Sequence, residues 1–582
     1  MTNTDSQVNA DGSVTLHIPL TVTVKLGGDI PKVLIPSVQP PVPPVRPEIR
    51  DDTSEAAILE KAHIELRKRS DITDVRWGYV FRNGWITKER ALVVTVPERK
   101  TVEQLRREGT SPLPKSLLGY PVEVSGPTLK QLLGMSKSFP TKETLVVQDT
   151  PTTIEYTRPL DGELKKITAE MKVIASVSPE EGWNTLQGHL EKTTKTLTVG
   201  IYDFGATFVA DTIETVARNS SFKHMTMAIQ VGSNVGTGTK KYDLSDADMV
   251  ERLSKKLKNK FNNAWVRVGR KNGWVPSSYH IKVSVRDSKA ISLSSGNWQS
   301  SNIPDLSILE NTKQTYLLNN YNRDWHVILE NDEIARAYEL FLKHDFENNQ
   351  HNALEGTDDS FDHDLFLMVP DFDMISTSEV SRDVEAFEPF EQERIFTVTP
   401  LLCPDNYFEE ILALIQSAQS ELFIQNQTFN APGDNHDYLL ELMNAVLERK
   451  SSGVDVRIIF RNLFSSDARE NLERLVEMGF DFEQIKMHNK CHTKGIIVDG
   501  EKVVIGSQNW SNDGVSVNRD ASLLFEDVEL ATYFRKIFLH DWKNVARHDI
   551  GRESASIRVA SATESAPAGM IKIGWADIQE TL

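Results

Sequence analysis

One short pattern occurs twice in this chain: His280-x-Lys282-x4-Asp287 and His492-x-Lys494-x4-Asp499, each followed ten residues after its Asp by an asparagine, Asn297 and Asn509. With 14 His, and Lys and Asp each near one residue in twenty, composition gives about 0.04 chance occurrences of the triplet. The flanks match as well. Ser294, Ser295 and Gly296 precede the first Asn, Gly506, Ser507 and Gln508 the second, and Trp298 and Trp510 follow. The repetition runs well beyond the motif. Pro179 to Phe204 aligns without gaps on Pro404 to Phe429, Asn322-Arg323-Asp324 matches Asn518-Arg519-Asp520, and Leu342 to Phe346 matches Phe538 to Trp542. A signature embedded in a duplicated stretch of this length predicts two copies of one lobe.

Within each copy, helix-spaced apolar residues alternate with short apolar runs. In the second copy these predict a helix over 408–417, strands over 421–426 and 454–460 around a helix over 438–450, then strands over 493–498 and 502–506. The pattern implies an α/β lobe with a mixed sheet flanked by helices. Side chains two apart on a strand share a face, so His-x-Lys places His492 with Lys494, and His280 with Lys282, on one side of a sheet.

These motifs resemble those of the phospholipase D superfamily, phosphodiesterases that carry two His-Lys-Asp signatures. The resemblance implies two phospholipase D-like lobes related by a pseudo-twofold, and an active enzyme. A phosphodiester is cleaved in line when one imidazole attacks phosphorus and a second, opposite, protonates the departing oxygen. Each lobe supplies one. On this reading His280 is the nucleophile and His492 the acid and base, with Lys282 and Lys494 as fixed cations. Asn297, Asn509, Ser295 and Ser507 are expected to donate to the non-bridging phosphate oxygens. A catalytic His needs a carboxylate on its other nitrogen, and the resemblance implies Asp324 and Asp520 for that role. Asp287 and Asp499 lie too far along their strands and are expected to be structural. No metal or cofactor is called for.

Substrate follows less directly. The motif-edge tryptophans and the apolar residues Ile303, Leu306, Ile308 and Leu309, in a first-copy loop sixteen residues longer than its counterpart, favour a phospholipid met at a membrane surface. Nuclease, transphosphatidylase and catalytically silent interaction protein are the alternatives. The net charge of -18 disfavours non-specific nucleic-acid binding, although residues 347–395 hold most of it, fourteen Asp or Glu against Arg382 and Arg394. The basic run from Lys255 to Lys271 reads first as a solvated helix face. Cys403 and Cys491 cannot make a disulfide framework, and neither a secretory start nor a spanning apolar stretch is visible, so a cytoplasmic location is expected.

The organisation expected is an N-terminal strand and Pro-rich linker (1–50), a small α+β domain of unknown role (51–150), lobe 1 (151–346), an acidic linker (347–395), lobe 2 (396–548) and a flexible tail (549–582). In the small domain a helix over 54–69 precedes a hairpin turning at Asn83-Gly84. The tail holds one more short strand near 570–575.

Overall fold

The computed structural model describes residues 6–8, 14–16, 54–66, 68–82, 84–128, 131, 154–231, 242–352, 366–370, 384–433, 437–461, 465–548, 558–560 and 570–574. Two compact units divide the chain, residues 1–57 and 58–582. The first contains two short antiparallel strands, Ser6–Val8 and Val14–Leu16. Of the N-terminal strand and Pro-rich linker expected over 1–50, only Ser6–Val8 and Val14–Leu16 fall among the described residues.

The second unit is built on one 14-stranded sheet. Its first seven strands are β1 (Ile167–Val177), β2 (Thr196–Ile201), β3 (His224–Gln230), β4 (Phe261–Val266), β5 (Lys282–Arg286), β6 (Ala290–Ser294) and β7 (Trp325–Glu330). The other seven are β8 (Phe390–Leu402), β9 (Glu421–Asn426), β10 (Asp455–Phe460), β11 (Ile485–Met487), β12 (Lys494–Val498), β13 (Lys502–Gly506) and β14 (Ala521–Glu526). They lie in the order β4-β3-β2-β5-β6-β7-β1-β8-β14-β13-β12-β9-β10-β11. Read from either end, each strand of the first half is met by the strand seven later in the second. The halves join where β1 pairs antiparallel with β8, Ile167 to Ala175 against Val398 to Phe390. Pairing is mixed, as expected: β2, β3 and β4 are parallel neighbours, whereas β5 is antiparallel to both β2 and β6.

Apart from β1 and β8, which are longer and partly exposed, the strands are short, mostly apolar runs largely buried on both faces, so they need helices on both sides. Helices Asp332–Asn349 and Val528–Asn544 cover one region with Tyr338, Phe341, Phe534 and Phe538, in a core that takes strand residues from both halves. Each half also has its own core. In the first, Leu186, Ile213 and Leu253 come from three helices, and in the second Ile411, Met443 and Leu472 do the same.

Several sequence expectations change. The acidic segment is not a plain linker: helix Asp332–Asn349 runs into it, β8 begins inside it at Phe390, and strand Phe366–Pro370 lies at its middle. That strand pairs antiparallel with Arg558–Ala560 and Met570–Gly574, so parts of the expected flexible tail form a sheet with it. Trp298 and Trp510 are buried against Phe204 and Phe429 at 5.1 and 5.3 Å between ring centroids. They are core residues and offer no face to a lipid. Ile303 is 1% exposed and belongs to the first-half core, whereas Ile308 is exposed and Leu306 and Leu309 are half-buried.

The N-terminal module is α+β, as expected. Helix Glu55–Leu66 precedes a sheet of Asp74–Arg82, Trp85–Thr95, Ser116–Leu117 and Tyr120–Ser125, with the hairpin turning at Gly84. Its edge strand is keyed to helix Ser465–Met478. The buried Glu473 carboxylate pairs with Arg76 and Arg469 and accepts from the Tyr79 N–H at 3.2 Å. Only a residue without Cβ fits opposite it, since a Cβ on Gly78 would meet Glu473 Oε1 at 2.7 Å.

Candidate active site

His280 and His492 stand at the entries to β5 and β12, the two strands that carry the lysines, and all four residues are buried, at 3% or less exposure. Each lysine curls back on its motif: Lys282 Nζ donates to the His280 carbonyl at 2.7 Å and Lys494 Nζ to the His492 carbonyl at 2.9 Å. Asn297 and Asn509 lie just past the ends of the adjoining strands β6 and β13.

The two Asn-Arg-Asp segments cross between the halves. The Arg323 N–H donates to the Lys490 carbonyl and the His492 N–H to the Arg323 carbonyl, at 2.7 and 3.0 Å. In the mirror arrangement the Arg519 N–H donates to the Ser278 carbonyl at 3.0 Å. Each segment thereby delivers its carboxylate to the other half's imidazole: His492 Nδ1 lies 2.8 Å from Asp324 Oδ1, and His280 Nδ1 lies 2.9 Å from Asp520 Oδ1.

The tautomers follow from these partners. His280 Nδ1 faces two acceptors, the Asp520 carboxylate and the Ser507 carbonyl at 2.9 Å, so it carries the proton and the lone pair is on Nε2. Burial first, then the Lys282 charge, outweighs Asp520 and pushes the His280 pKa down to about 4. The ring is therefore neutral near pH 7, the state a nucleophile requires. Burial opposes ionisation of Asp324, but the His492 ring and Lys494 outweigh it and hold the carboxyl below its usual range.

The serines are placed differently from expectation. Ser295 Oγ donates to Asp324 Oδ1 at 2.8 Å and accepts from the Trp325 N–H. Ser507 Oγ donates to Asp520 Oδ1 at 2.6 Å and accepts from the Ala521 N–H. A hydroxyl has one proton, and here it goes to the carboxylate, so the two serines fix the aspartates rather than donating to phosphate. Asp287 and Asp499 occupy the turns after β5 and β12 with φ of 56° and 55°, a left-handed conformation that Asp tolerates. Their carboxylates cap the starts of β2 and β9, accepting from Thr194, Lys195 and Thr196 N–H and from Gln419, Ser420 and Glu421 N–H.

Sequence reasoning missed what surrounds these groups. Arg323 is fully buried between Glu180 of its own half, at 2.8 Å, and Asp541 of the other, at 2.9 Å. Arg519 is held the same way by Asp405 and Asp345. The signal was present, because Glu180 and Asp405, like Asp345 and Asp541, fall at matching places in the repeat. The lysines also have unlike neighbours at a matching place: Lys282 Nζ lies 5.0 Å from the Tyr202 ring centroid, and Lys494 Nζ donates to Gln427 Oε1 at 2.7 Å. Lys494 further reaches the Ser295 carbonyl of the other half at 3.3 Å. Asn302, in the long first-half loop, donates to Asp324 Oδ2 at 2.9 Å. Cys491 and Cys403 are buried wall residues.

Two cations, two imidazoles oriented by carboxylates and two asparagines are thus gathered from both halves around one seam. Such a set can bind a phosphate anion, supply one neutral ring for attack on phosphorus, and use the other for proton transfer.

Residues 411–542 match the family model described as the cardiolipin synthase, phospholipase D-like domain. The chain is 28% identical over 144 residues to the mitochondrial cardiolipin hydrolase of Xenopus tropicalis, a match covering 25% of this chain and 65% of that protein. It is 28% identical over 149 residues to cardiolipin synthase A of Pectobacterium carotovorum, covering 24% of this chain and 29% of that protein. The chain therefore spans less than two thirds of the length of these curated relatives. Among solved structures, the phosphatidylserine synthase of Haemophilus influenzae is similar with a TM-score of 0.43 and 14% identity, over 65% of this chain and 88% of that one.

Proposed function

We propose that the chain is a member of the phospholipase D superfamily, whose domain model matches residues 411–542, and a phosphodiesterase that hydrolyses phospholipids through a covalent phosphohistidine. The observation that carries the reading is the crossed pair of imidazole–carboxylate contacts, His280 with Asp520 and His492 with Asp324. It accounts for both histidines at once, and for the need for two lobes. His280 Nε2 forms a bond to phosphorus while the bond to the leaving oxygen breaks, and His492 gives that oxygen its proton. The positive charge that develops on the His280 ring is met by Asp520, and charge on the phosphate by Lys282 and Lys494. Water then attacks phosphorus on the same line, His492 takes its proton, and the P–N bond breaks to restore His280. The names of the relatives support a lipid substrate, and the exposed Ile308 between half-buried Leu306 and Leu309 is consistent with a lipid surface.

The test is an assay of the purified chain in EDTA on vesicles of phosphatidylcholine, phosphatidylglycerol or cardiolipin, and on single- and double-stranded DNA. Release of a phospholipid product with DNA left intact supports the reading. Cleavage of DNA alone would replace the substrate, and loss of all activity on chelation, restored by a divalent cation, would overturn the chemistry.

A further inference from the structure

The two halves are not chemically equivalent. Asp324 receives donors on both oxygens: Ser295 and His492 on Oδ1, and Asn302 Nδ2 on Oδ2 at 2.9 Å. Asp520 receives Ser507 and His280 on Oδ1, whereas its buried Oδ2 takes no donor among the described residues. The cause is legible in the repeat. The register that matches Asn297 with Asn509 sets Asn302 against Gly514, which has no side chain to offer, and sets Ile303 against Val515, both buried. Asn302 is itself 1% exposed and fixed by its N–H to the Gln299 carbonyl at 3.0 Å. Its amide nitrogen also lies 3.2 Å from His492 Nδ1.

We propose that Asn302 is a positioning residue that commits His492 to the acid and base role, an inference that rests on the phosphohistidine reading above. Each hydrogen bond to a carboxylate spends some of its basicity and fixes its plane. With Asn302 in place, Asp324 is a weakly basic, rigid partner, and His492 can release a proton and regain it without moving. Asp520 has, among the described residues, one buried oxygen without a hydrogen-bond donor, so it gains most when the ring it holds becomes cationic, which happens on His280 as the P–N bond forms.

The test follows the covalent adduct in the full-length chain. With labelled bis(p-nitrophenyl) phosphate, nitrophenolate leaves without needing a proton, so adduct formation bypasses the acid. Adduct hydrolysis does not bypass the base. Rapid quench in alkali should give Asn302→Ala a formation rate within about twofold of wild type and a hydrolysis rate slower by about ten- to a hundredfold, the loss of one hydrogen bond to a charged group. Asn302→Asp keeps the shape but turns the donor into a second carboxylate, and should slow hydrolysis further. Both rates falling together would assign Asn302 to packing and overturn the proposal, as would both remaining unchanged in Asn302→Ala and Asn302→Asp. If wild type forms no phosphohistidine, the catalytic reading itself has failed, and this inference falls with it.

Discussion

Arg323 and Asp541, 218 residues apart, meet as a 2.9 Å ion pair in the protein interior, one from each half of the sheet. Arg323 immediately precedes Asp324, and its carbonyl accepts the His492 N–H. The ion pair therefore holds the segment that orients an imidazole of the other half. Arg519 and Asp345 repeat the relationship at 2.9 Å on the other side. Burial works against the Arg323 charge, but Asp541 and Glu180 outweigh it and raise the guanidinium pKa.

Removing the guanidinium while leaving both carboxylates buried should be costly. Arg323→Met is expected to lower the free energy of unfolding by about 3–5 kcal/mol, as for other buried pairs broken from one side. Urea titration checks this. Arg323→Met combined with Asp541→Asn should cost less than the sum of the two, and additivity would mean the pair is not coupled.

On the proposed mechanism each imidazole has a role the other cannot fill. His280→Ala and His492→Ala should each lower kcat on a phospholipid by about a thousandfold or more while leaving the circular dichroism spectrum and Tm near wild type. Because the halves are fused by β1 and β8 within one chain, mixing the two variants should restore nothing. Recovery of activity in the mixture would show that sites assemble between chains.

Buried neutral histidines make the fold acid-sensitive. His189 is 1% exposed, takes no hydrogen bond among the described residues, and burial first, then Arg286 and Lys192, pushes its pKa down to about 3. Burial likewise pushes His326 and His488 down to about 4. Below the unfolded-state value of about 6.5 the unfolded chain gains protons that the native state refuses, so stability falls as pH drops from about 6.5 toward 4. His189→Leu removes one such group. It should raise stability at pH 4.5 relative to pH 8 by about 2 kcal/mol compared with wild type, read from denaturant midpoints at the two pH values. An equal change at both would show that His189 does not titrate this way.

The long first-half loop divides into core and surface. Ile303→Ser should destabilise the lobe by about 2–4 kcal/mol, because it puts a hydroxyl into a packed core. Leu306→Ser, Ile308→Ser and Leu309→Ser together should leave Tm close to wild type and weaken turnover on vesicles several-fold, with little change on a soluble phosphodiester. Equal turnover on vesicles would remove the loop from lipid contact.

Legibility in the sequence depended on range. The short strands β9, β10, β12 and β13 were readable to within a residue or so, because each is an apolar run bounded by turn residues. Asp324 and Asp520 stood out through the repeated Asn-Arg-Asp. Which histidine each would meet had no local signature, since the partners are 168 and 240 residues apart and come together only when the halves join. The serines misled for a related reason: a small polar residue near a phosphate-binding motif is an apparent donor until a buried carboxylate is seen to claim its proton. Strands β1 and β8 were missed because the seam depends on pairing across the whole chain, and acidic composition hid the start of β8 at Phe390.

The continuous sheet has a consequence for how such a site can change over time. Two identical subunits meeting across a twofold axis form an isologous contact, in which a substitution on one side necessarily appears on the other. Joining the halves through β1 and β8 in a single polypeptide removes that obligation. Asn302 against Gly514, and Tyr202 against Gln427, are differences that no homodimer of one half could hold. A fused chain can let each half of its centre drift toward its own task while the frame around both stays matched.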